Sequence, residues 1–87
     1  MSGSERHAIE RRLARIEGHI HAVHTMAHEG RSYPDLVHQI AAIRASLDAV
    51  VQAIVDDLVN HGLRTAGSKA DLAPVIEELG EVVTSAL

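Results

Sequence analysis

Between Leu36 and Leu58 the chain carries two aliphatic series side by side, and this doubling constrains the fold more than any other feature. Leu36, Ile40, Ile43, Leu47, Val50, Ile54 and Leu58 recur at steps of three and four, the period of one helical face. Val37, Ala41, Val51, Val55 and Val59 lie beside them. A helix apolar over this much of its circumference exceeds what one neighbouring helix covers, so its second face requires a partner chain.

Ile9, Leu13, Ile16, Ile20, Val23 and Ala27 repeat in the same way and predict a first helix over about 5–28, with Ser4 as N-cap and Gly30 and Pro34 ending it. Pro34 suits the first turn of a second helix, where its missing N–H is not needed, and Ser32 or Tyr33 takes the cap position. That helix is predicted over about 33–61 with Gly62 as its C′ residue. Ser68 or Asp71 then caps a third helix over about 69–85, carried by Leu72, Val75, Ile76, Leu79, Val82 and Val83. Gly80 weakens it by roughly 1 kcal/mol relative to Ala, so this end is expected to be the least stable. With no internal repeat and no long linker, residues 1–87 read as a single all-α domain.

Tyr33 is the one aromatic residue, so a short chain must build its core from aliphatic side chains alone, and oligomerisation is the expected remedy. The absence of cysteine excludes disulfides and sulfur-ligated metals. No apolar run is long enough to span a bilayer, and MSGSERHAIERR has no signal-peptide core, so a cytoplasmic address without membrane contact is expected. The net charge of −4 is unevenly placed. Residues 1–44 hold six Arg against five acids, and residues 45–87 hold Arg64 and Lys69 against seven. A local basic patch decides nucleic-acid binding, so the total does not exclude it.

The segment from Arg12, RLARIEGHIHAVHTMAHEGRSYPDLVHQIAAIRASLDAVVQAIVDDLVNHGL, resembles the CsoR/RcnR family of copper- and nickel/cobalt-responsive repressors. Arg-Leu-x-Arg-Ile-Glu-Gly at 12–18 and Gln-Ile-Ala-Ala-Ile-Arg-Ala at 39–45 carry the likeness, which covers about residues 8–63. The resemblance implies an antiparallel three-helix protomer, a dimer through helices 1 and 2, and two dimers in a flat tetramer. It also implies that the protein binds double-stranded operator DNA until an effector releases it.

Arg11, Arg12, Arg15 and His19 share one flank of helix 1, and the resemblance makes these arginines, with Arg44 from helix 2, the DNA contacts. Without it, the same arginines are a solvated face paired with Glu10 and Glu17. Family members commonly carry Gln at the position of His19 and basic residues near His21 and Thr25, so DNA affinity here is expected to be lower, or to rise as histidines charge at falling pH.

The positions that match the family's metal ligands are Tyr33, Leu58 and Gly62, and none is an ordinary donor at neutral pH. No cofactor and no metal ligand are therefore assigned, and the inducer stays unnamed. Leu58 points to a former cavity packed with hydrocarbon, or to a pocket for an apolar effector. His21, His24 and His28 lie within about 60° of one another beside Glu17 and form a second candidate for nickel, cobalt or zinc, set against plain solvated histidines. His61, helix-spaced from Asp57, is read as complementing the helix dipole, and Glu78, near a supporting family position, as a solvated acid. Ser32, Ser46 and Thr65 lack a placed base, so no enzyme is expected. Two readings stand beside the repressor: an interaction module without DNA binding, and a histidine-based metal-binding protein.

Overall fold

The computed structural model describes residues 3–87, the Ser4 side chain excepted, and among these there are three helices and no strand. α1 runs Gly3–His28, α2 Tyr33–Thr65 and α3 Lys69–Ala86. α1 begins two residues before the predicted start and encloses Ser4, so the expected cap is not at that residue; its side chain lies outside the described residues.

Gly30 ends α1 with φ at 79°, a left-handed conformation in which glycine has no Cβ to clash. The N–H of Arg31 donates to the Met26 carbonyl at 3.0 Å and that of Gly30 to Ala27 at 3.1 Å, the paired bonds of a Schellman cap. Ser32 then caps α2, its Oγ accepting from the Asp35 N–H at 3.2 Å, with Pro34 in the first turn. At α3 the Ser68 side chain makes no cap bond; Asp71 instead reaches back and accepts the Gly67 N–H at 2.9 Å.

α2 departs from its predicted end. Gly62 is not the C′ residue but a buried position inside the helix, which continues to Thr65. The physical reason is a tertiary contact: a Cβ at Gly62 would come within 2.5 Å of a Val75 methyl, so the missing side chain lets α3 lie directly on α2.

α1 and α2 run antiparallel, and α3 folds back along the C-terminal half of α2. Ile16 and Val23 of α1 interleave with Ile43 and Val50 of α2, flanked by Ile9, Leu36 and Ile54. Ile9, Ile16 and Val23 on α1, and Leu36, Ile43 and Val50 on α2, repeat every seven residues, as in a two-helix seam. The companion positions remain uncovered: Ile20 is 49% exposed, Ile40 55% and Leu47 42%, with Leu13 alongside. One half of the apolar stripe is core and the other half is surface.

The protomer measures 58 × 26 × 12 Å, so its thinnest dimension is close to the ~10–12 Å width of one helix. Its radius of gyration is 17.3 Å, where a compact chain of this length has about 12 Å. Among the described residues, no helix is long and apolar enough to cross a membrane.

Candidate nucleic-acid interface and effector cavity

The helix period carries Arg12, Arg15 and His19 onto one side of the slab, opposite Leu13 and Ile20. There the seam between α1 and α2 forms a shallow notch lined by Arg12, Arg15, Ile16, Ser46, Ala49 and Val50. Two arginines line this cleft of about 150 Å³, and guanidinium groups are suited to holding an anion. The Ser46 hydroxyl donates to the Ala42 carbonyl at 3.0 Å, so its proton is engaged within α2 and the notch's donors to an anion are the two arginines.

Arg11, Arg12, Arg15 and Arg44 are all exposed, and among the described residues none pairs with a carboxylate. Glu10, one of the acids expected to neutralise them, is engaged by His7 at 3.2 Å. The arginines of this face are free cations, which an anionic partner can neutralise without first breaking an internal ion pair.

His19 is half-buried, with its Nε2 2.7 Å from the Gln39 side-chain oxygen, so it ties α1 to α2 beside the arginines. Arg44 does not join them within one protomer. It lies one step round α2 from Ile43, on the flank that carries Ile40 and Leu47.

The positions matching the family's metal ligands do not fit a metal. Tyr33 is 84% exposed at the start of α2, while Leu58 and Gly62 lie at the far end, in a cavity of about 170 Å³ where all three helices meet. Its walls are Ile54, Leu58, Val75 and Val82, with Arg6, His61, Thr65 and Glu78 at the polar positions. Gly62 has no donor and, against Val75, no room for one. Glu78 is exposed and lines this cavity. His21, His24 and His28 are exposed, and among the described residues no three His, Asp or Glu side chains converge to hold an ion.

Asp57 was missed by the sequence reading as a core residue. It is buried, no amide, hydroxyl or basic group donates to either carboxyl oxygen, His61 included, and the group that meets it is another carboxyl. Its carboxyl is held above the usual range, first by hydrogen bonding with Glu5, then by burial, then by the Glu5 charge. The available signal was its spacing, seven residues beyond Val50 in the series 36, 43, 50.

A sequence model described as metal-sensitive transcriptional repressor matches residues 5–85. A copper-sensing transcriptional repressor, CsoR of Bacillus subtilis strain 168, is 31% identical over 81 residues, covering 93% of this chain and 80% of that protein. The solved structure of the nickel-responsive transcriptional regulator InrS superposes with a TM-score of 0.80 at 37% identity, covering 93% of this chain and 91% of that one.

Proposed function

The chain belongs to the family of metal-sensitive transcriptional repressors, and from that premise we propose that it holds double-stranded operator DNA on the face carrying Arg11, Arg12, Arg15 and His19. The observation that supports this is the notch in which two unpaired arginines of α1 meet Ser46 of α2. Such a surface neutralises phosphates and releases their counterions.

One protomer presents too little positive charge for the task, so the working form is a homo-oligomer, a dimer through α1 and α2 or a tetramer of two such dimers. The exposed half-stripe of Leu13, Ile20, Ile40 and Leu47 supplies the pairing surface. Arg44, on the flank of that surface, contributes to DNA binding through the assembly. Residues 1–87 act as one domain with no enzymatic role, at a cytoplasmic address where the DNA lies. Induction proceeds by a ligand other than a thiolate-bound metal, because the chain has no cysteine and neither Leu58 nor Gly62 brings a donor side chain to the cavity.

Fluorescence anisotropy with a duplex from the protein's own promoter tests the reading. Arg12→Ala and Arg15→Ala should each weaken binding and lower the slope of log affinity against log salt by about one for each copy of the residue on the DNA. Absence of binding by the unaltered protein at low salt would eliminate the proposal.

A further inference from the structure

Asp57 continues the seven-residue series Leu36, Ile43 and Val50 along the α1/α2 seam, so a carboxyl stands where hydrocarbon is the rule. It is 8% exposed, and no amide, hydroxyl or basic group donates to either of its oxygens. Glu5 of α1 shares two clefts with it, one lined also by Asn60, Leu63 and Arg64, the other by Ala8, Ile9, Arg12 and Ala53. Arg64 pairs with Glu5 at 3.3 Å.

A buried carboxylate must find a counter-charge, ligate a metal or take up a proton. Arg12 and Arg64 line the clefts, yet neither bonds to Asp57. Metal ligation needs a coordination shell, and among the described residues no such group of donors converges. The Asp57 oxygens are also closed to water, so a hydrated cation has no path to them. A proton needs no shell, and it can reach Asp57 through the Glu5 carboxyl, whose side chain is 34% exposed in the same clefts.

We propose that Glu5 and Asp57 form a proton-operated clasp between α1 and α2. With one proton shared, one carboxyl donates its O–H to the other and holds the first turns of α1 on α2. With none, two carboxylates face each other across the seam and those turns loosen. The raised Asp57 carboxyl agrees in direction and in its leading cause, the bond with Glu5. His61 and the positive amino terminus act the other way, Arg12 and Arg64 are the cations at the clefts, and no titratable group of α3 lines them. The turns involved carry Arg6 and lead directly into Arg11, Arg12 and Arg15, so the seating of the basic face becomes dependent on pH.

Hydrogen–deuterium exchange of the full chain, as protection factors between about pH 4 and about pH 8, tests the clasp. In the unaltered protein, protection of amides 7–14 should fall with rising pH by up to about tenfold per unit, the limit for one proton. Asp57→Asn, whose amide donates to Glu5 without titrating, should keep that protection high and flat, and Glu5→Gln should do the same from the other side. Protection independent of pH in the unaltered protein, or either folded variant tracking it, would overturn the clasp. Failure of DNA binding would remove the repressor reading and leave this readout untouched.

Discussion

Asp57 and Gly62, five residues apart on α2, each break a local rule because of a residue on another helix. Asp57 faces Glu5, and its carboxyl is raised from 3.8, so folding favours its protonated form. Such a group stabilises most below the unfolded value, and that contribution is lost as pH rises through the folded one. Asp57→Asn should therefore raise the thermal midpoint at neutral pH, with the advantage closing on acidification; a gap that widened toward low pH would contradict the sign. Gly62 faces Val75, and two effects compete there. Ala in mid-helix gains up to about 1 kcal/mol over Gly, whereas overpacking against a stiff β-branched side chain costs about 1–3 kcal/mol. With a methyl 2.5 Å from the new Cβ, overpacking wins, and Gly62→Ala should lower stability in urea titrations. Adding Val75→Ala should recover much of the loss.

The three helices differ in what holds them. α2 is the spine, with α1 packed along it and α3 along its C-terminal half. α3 has no buried residue, contains Pro74 and Gly80, and owes its place to one neighbour. Pro74 inside the helix removes a donor and crowds the preceding turn. A Cβ at Gly80 meets nothing within 4 Å, so Gly80→Ala should stabilise α3 by roughly 0.5–1 kcal/mol, visible as slower exchange of amides 76–84. Helix identity was legible in the apolar period, and the three segments lie where it put them. The end of α2 was not, because Gly62 resembles a C′ residue until Val75 is known to lie against it. The histidines of α1 were legible as a local cluster only; 60° of arc does not bring three rings to one point, and no metal-holding group forms among the described residues.

As a whole molecule the single chain leaves much of its apolar surface uncovered. Its accessible surface is 6507 Å², where a compact monomer of 9.4 kDa exposes about 5,000 Å². The excess, roughly 1,500 Å² on one chain, corresponds to roughly 3,000 Å² counted over two copies, the range of obligate homodimer interfaces. Ile20, Ile40 and Leu47 account for the shape of that excess, since the slab offers no second layer to cover them. If the chain pairs through this surface as proposed, Ile20→Lys with Leu47→Glu should give monomers in sedimentation or light-scattering measurements where the unaltered protein gives a larger species, and DNA affinity should fall with it. Monomers of the unaltered protein at micromolar concentration would refute the pairing surface.

Three helices, their all-α class, the cation-rich first half and the loss of donor chemistry at Tyr33, Leu58 and Gly62 were determined by the sequence alone, because period and side-chain type are local properties. Which half of the apolar stripe became core, that Asp57 was buried with Glu5, and that Arg12 and Arg15 share a notch with Ser46 while Arg44 does not, were decided by tertiary structure. Each depends on the rotation and register of one helix against another, and those are set by contacts between residues tens of positions apart, which no local period contains.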